Sequence, residues 1–148
     1  INWTVHEADQ FQKRWFQIHP AIRRWHTRVQ ADLDRAKTVA NPFGYRRVFF
    51  DRPDAVFPEA LAWVPQSTVA LVSFYGALQL EKASPWIEML LQNHDSIVFQ
   101  APHRYRGSIA EIKRGLEIVV PYSDPLTIPW GVARSEVSWG DCEKVEAS

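Results

Sequence analysis

The sequence predicts an α+β domain in which an antiparallel sheet is covered on one face by helices, one of them long and buried. Three observations predict it. Apolar residues recur at helical spacing early in the chain, first at Phe11, Trp15 and Ile18, then at Ile22, Trp25, Val29 and Leu33. A long Ala- and Leu-rich stretch, PEALAWVPQSTVALVSFYGALQLEK, follows from Pro58. Two short apolar runs, Ile87 to Leu91 and Ile97 to Phe99, then bracket the polar residues Gln92-Asn93-His94-Asp95-Ser96, which is the pattern of a hairpin.

Each element has a local reason. Thr4-Val5-His6-Glu7 has capping-box spacing and opens the first helix. His19-Pro20 breaks it, because proline disfavours helical geometry in the residue before it, and Pro20 suits the first position of the next helix. NPFGYRRVFFDR reads as a turn leading into a short strand, and RPDAVFP as a loop. The stretch from Pro58 is apolar nearly all round, so it predicts a helix covered on both sides, kinked near Pro65 and ended by Ser84-Pro85. Ser108-Ile109-Ala110-Glu111 reads as a second capping box, with Ile109, Ile112, Leu116 and Val119 as the stripe behind it. The proline-rich tail from Pro121 contains VARSEVSWGD, expected as a closing strand and an exposed end.

The chain of 148 residues is one domain's worth of length. Hydrophobic residues at 46% and charged residues at 23% describe an ordinary globular composition. Seven Trp and eight Phe supply much apolar area, part of it expected to cover a partner's surface. A formal net charge of zero excludes nucleic-acid binding by bulk charge but leaves the local cluster Arg46, Arg47 and Arg52. The single cysteine, Cys142, excludes an internal disulfide and a cysteine zinc site. No apolar run approaches the ~20 residues of a membrane span, so no membrane partner is expected. The start, INWTVHEADQ, lacks signal-peptide layout and an initiator methionine, and reads as the start of a fragment or processed product.

Asp95 sits at the tip of the predicted hairpin. A carboxylate fixed near an interior is costly unless it is paired or holds a metal, and a turn leaves its outer side open to a hard cation such as magnesium. One carboxylate does not complete a metal site, so a second ligand is expected from elsewhere. The plainer reading is that Asn, Asp and Ser are ordinary turn residues and that HDS is only a connection. His94 is equally readable as a satisfied histidine, and Arg46-Arg47 as solvated surface.

Taken together, these segments resemble the A-family DNA polymerases, the bacterial DNA polymerase I type. QNHDSIVFQAP resembles that family's Gln-x-His-Asp-Glu motif between two palm strands. NPFGYRRVFF resembles its Gly-Arg-Arg segment, and PEALAWVPQSTVA its long palm helix with a Gln near the primer terminus, in wording most like phage members. EADQFQKRWFQIHPAIRRW is similar to the helices that follow the fingers, and VPYSDPLTIPWGVARSEVSWGD to the closing palm strand. The resemblance implies that residues 1–148 are the C-terminal palm portion of such an enzyme, with fingers helix, thumb and first catalytic motif outside the chain.

It implies Asp95 as a ligand of two catalytic Mg2+ ions, shared with an outside carboxylate, and His94 as a primer-end contact. Gln92 and Gln66 would approach the minor groove, and Arg46 and Arg47 the DNA backbone. Ser96 stands where the family has Glu, and Ala62 where it has Asn. The implied partners are the N-terminal polymerase portion, primer-template DNA and deoxynucleoside triphosphates, in the cytoplasm of a bacterial or phage-infected cell. The chain alone is expected to be inactive. Two other readings are a metal-dependent phosphohydrolase using His94-Asp95 with His6, His19 or His26, and a non-catalytic remnant that binds DNA or a replisome protein.

Overall fold

The computed structural model describes residues 3–105 and 108–145. Helix α1 spans Val5–Ile18 and α2 spans Pro20–Ala36. The Thr4 capping box forms in full. The Thr4 hydroxyl accepts from the Glu7 amide, and the Glu7 carboxylate accepts from the Thr4 amide at 2.8 Å. Strands β1 (Thr38–Ala40) and β2 (Arg46–Val48) pair antiparallel. Helix α3 runs Pro53–Ala83, β3 is Glu88–Asn93, β4 is Ser96–Gln100, and α4 is Ile109–Gly115. Four short strands close the chain: β5 (Val119–Val120), β6 (Leu126–Thr127), β7 (Val132–Arg134) and β8 (Glu143–Val145).

The described residues are thus a mixture of helix and small antiparallel ladders. The strands pair as four separate two-stranded ladders, β1-β2, β3-β4, β5-β6 and β7-β8, rather than as the one sheet expected.

The chain divides into two compact units. One takes in the described residues of Ile1–Ala40 and Arg46–Pro65, the other those of Asn41–Tyr45 and Gln66–Ser148. The first has a core of Val29, Leu33, Val39, Phe49, Val56, Ala60 and Val64. Val29 and Leu33 are half of the α2 stripe read from sequence. The α1 stripe is different: no α1 residue is buried, and Phe11 remains 55% exposed. The second unit packs Leu80, Ile87, Ile109, Ile112 and Leu116 together, with Met89, Ile97, Phe99 and Trp130 around them. Within it α4 crosses close to α3 at Gly115, where a Cβ would lie 3.0 Å from Leu80 Cδ1.

Several sequence expectations need correction. The segment Pro53–Phe57, read as a loop, is the first part of α3. Pro53 occupies the first helical position, where a missing N–H costs nothing. The helix then continues through both Pro58 and Pro65. It is not covered on both sides, since Phe74, Tyr75 and Leu78 are exposed while Val72, Ser73 and Leu80 are buried. By length and composition alone α3 could cross a membrane, which amends the reading that no apolar stretch approaches that length. Core helices pass the same test, and Ala60, Val72 and Leu80 on it are buried.

Ser108 makes no side-chain cap bond. Its backbone (φ −80°, ψ 31°) lies outside the extended region, whereas a capping hydroxyl needs the extended geometry that Thr4 adopts. Val119, expected on the α4 stripe, is an exposed strand residue.

Candidate functional site

The β3–β4 hairpin forms where β-prone apolar runs flank two residues able to turn. Its register pairs Glu88 with Gln100, Met89 with Phe99, Leu91 with Val98, Gln92 with Ile97, and Asn93 with Ser96. His94 and Asp95 are therefore the connection, at the hairpin tip as expected. The register shifts between Met89 and Leu91, leaving Leu90 as a bulge. Directly opposed residues share a face. Met89, Phe99 and Ile97 face the core of the second unit, so Gln92, opposite Ile97, lies on that same side and is half-buried. Without the bulge, strict alternation from Met89 would turn Leu91 inward and Gln92 away. Leu90 and Leu91 are instead 54% and 49% exposed.

The tip is held by side chains acting on its own backbone. Gln92 Nε2 donates to the His94 carbonyl oxygen at 2.8 Å. Ser96 Oγ donates to the Asn93 carbonyl oxygen at 2.7 Å. His94 has φ 52°, a left-handed conformation that glycine adopts most easily. His94, Asp95 and Ser96 are all exposed. The Asp95 carboxylate is engaged by no hydrogen bond or ion pair among the described residues. It is not the desolvated carboxylate that the sequence suggested. What makes it available is that no described residue competes for its oxygens.

An unengaged carboxylate is a hard oxygen donor of the kind magnesium prefers. One carboxylate by itself does not make a magnesium site. Among the described residues no group of three or more His, Cys, Asp or Glu lies together in a way that could hold a metal.

The other candidates stand apart from the hairpin's hydrogen bonds. Gln66 is exposed on α3 and makes none. Arg46 and Arg47 are successive residues of β2, so their side chains leave on opposite faces and do not form one clamp. Arg47 is engaged, donating to Glu59 and lying with its guanidinium 4.9 Å from the centre of the Phe49 ring. Arg46 has no partner among the described residues.

The sequence reading missed Glu59, and it missed that Gln92 serves the turn. The signal for Gln92 was a donor two residues before a turn residue, but its face depends on the bulge. Two open hollows lie away from the hairpin. The second unit has an open one of about 650 Å3 lined by Tyr75, Leu78, Gln79 and Lys82, and the first unit one of about 420 Å3 lined by Arg23, His26, Asp34 and Phe57.

Against this geometry, comparison with curated proteins gives a class: the chain is distantly related to the A-family DNA polymerases. Two relatives carry that statement. The thermostable DNA polymerase I of Thermus aquaticus is 30% identical over 145 residues, covering 89% of this chain. The thermostable DNA polymerase I of Thermus filiformis is 30% identical over 145 residues, covering 86% of it. The chain spans only 17% of the length of each relative. No protein-family profile matches the chain, and no solved structure matches it.

Proposed function

We propose that this chain is the C-terminal palm portion of a phage-like A-family DNA polymerase and contributes to template-directed transfer of a deoxynucleotide to a primer 3′ hydroxyl. The observation that carries the reading is the His94-Asp95 tip, an exposed carboxylate on an antiparallel hairpin, within a sequence similar to DNA polymerase I along most of its length. The four antiparallel ladders are then parts of a palm whose remainder lies on other segments. The partner is a polymerase portion bearing fingers, thumb and the other carboxylate, and the uncovered apolar stripe of α1 is consistent with such a partner.

In this reading Asp95 holds magnesium jointly with the outside carboxylate. The ions, when bound, stabilise charge on the transferring phosphate and its leaving group. This chain's own residues position the reactants. His94 contacts the primer end. Gln66 and Gln92 donate to minor-groove acceptors, which vary little between base pairs, so they test pair shape without reading sequence. Gln92 keeps a second amide hydrogen after its bond to His94. Arg46 is free to meet a phosphate, whereas Arg47 would first leave Glu59.

The test is primer extension in magnesium by the chain alone and by the chain assembled with a polymerase portion carrying the other carboxylate. Extension is expected from the assembly only. Extension by the chain alone would contradict the shared site. Binding of primed DNA by the assembly without any extension would instead mark a non-catalytic remnant, a reading favoured by Ser96 and Ala62 standing where the family has Glu and Asn.

A further inference from the structure

We infer that Gln92 is a positioning residue that latches the turn peptide carrying Asp95, with Ser96 tying the residues on either side of that turn. The consequence for catalysis rests on the polymerase reading above; the latch does not.

The connection has positive φ at His94 and not at Asp95. That is the sign pattern of a type II′ turn, whose first central residue is ordinarily glycine. Histidine there costs about 1–2 kcal/mol of steric strain. The competing two-residue connection, type I′, has positive φ at both central residues. The two forms differ chiefly in which way the central peptide, His94 C=O to Asp95 N–H, is turned. Flipping it changes the backbone of Asp95 and re-aims a carboxylate that no other group holds.

Gln92 Nε2 donates to the oxygen of that very peptide, at 2.8 Å. It can reach because the Leu90 bulge turns it to the Ile97 side of the hairpin. The Ser96 hydroxyl, 2.7 Å from the Asn93 carbonyl oxygen, closes the turn from its other end. Ser96, where related polymerases are expected to carry a carboxylate, thus has work of its own.

On the 148-residue chain, residual dipolar couplings of the His94–Asp95 peptide read its orientation. Gln92→Met keeps the side-chain length and removes the donor. A single orientation is expected in the unsubstituted chain and in Ser96→Thr, and averaging between two in Gln92→Met. Unchanged couplings in Gln92→Met would overturn the latch. In primer extension by the assembled polymerase, Gln92→Met and Ser96→Ala are expected to lower kcat about ten- to hundredfold, more than they raise KM for primed DNA. Ser96→Thr, which keeps the hydroxyl, is expected to retain kcat. An effect confined to KM would overturn positioning in favour of a groove contact. Should the unsubstituted assembly extend nothing, the polymerase reading falls, and the couplings still decide the latch.

Discussion

Two turns in this chain meet the same need, a reversal that requires positive φ, in opposite ways. At Asn41–Tyr45 the positive φ falls on Gly44, at 81°, with no neighbour near enough to object to a side chain. The turn is tied from the inside. Asn41 is buried, its Oδ1 accepts from the amides of Phe43 and Tyr45 at 3.1 and 3.0 Å, and its Nδ2 donates to Ser67 at 3.1 Å. At Asn93–Ser96 the positive φ falls on a histidine, the bonds that hold it are exposed, and the carboxylate beside it has no partner among the described residues. The first turn is built for stability. The second accepts strain beside the two side chains proposed to act at the site, and strain in proteins tends to collect at such places.

The sharpest way to break that contrast is Asp95→Asn. An exposed, unpartnered carboxylate contributes little to folding, so the unfolding free energy should move by less than about 0.5 kcal/mol. Extension by the assembled polymerase should fall by about a thousandfold or more, the loss expected when a metal ligand worth several kcal/mol in the transition state is removed. Near-normal extension rates in this variant would remove Asp95 from the chemistry.

Asn41→Ala reverses the balance. It strands the amides of Phe43 and Tyr45 in a partly buried setting, and each unmet donor costs about 1–3 kcal/mol. A drop of about 2–3 kcal/mol in urea unfolding is expected. A change near zero would show that water replaces the side chain and that the first turn is no better anchored than the second.

Backbone substitutions sharpen the comparison at smaller amplitude. Gly44→Ala meets no clash, so its cost is the left-handed φ alone, about 1–2 kcal/mol. His94→Gly should relieve a similar strain but adds about 0.5–1 kcal/mol of chain entropy, for a net gain of at most about 1.5 kcal/mol. Paired unfolding curves test both. A loss of stability in His94→Gly would mean that the imidazole contributes packing the turn needs.

The difference between the turns also explains what could be read in advance. The hairpin and its tip were legible because β-prone runs around a polar pair are a local signal. So was the α1–α2 boundary, where Pro20 removes a helical option from His19. The bulge at Leu90 was not, because a bulge is a relation between two strands and neither strand announces it alone. The side of the hairpin that Gln92 occupies was hidden for the same reason. Arg47 and Glu59 lie 12 residues apart on a strand and a helix, so their pairing needs the packed first unit. The start of α3 was misread because prolines at 53 and 58 look like breakers, although Pro53 at the first helical position gives up no bond and the helix runs on through Pro58. β1 is three residues long, too short to show a period.

The smallest expected effect concerns a third place where a side chain holds a backbone. Thr4 donates to the Glu7 carboxylate through its amide and its hydroxyl, and these two bonds hold the Glu7 pKa below its ordinary value, the backbone bond contributing most. A carboxyl depressed on folding contributes stability that is present above its unfolded pKa and lost as pH falls through the lowered folded value. The start of α1 should therefore keep its cap through the ordinary glutamate range and fray only below it. The Thr4 amide resonance, followed from neutral to acid pH, should titrate with a midpoint below the ordinary glutamate value of about 4.3. Ser108, whose hydroxyl caps nothing, provides the internal control. If the Thr4 amide titrates at or above that ordinary value, the bonds to Glu7 do not persist in solution, and the sequence signature at Thr4 means no more than the one at Ser108.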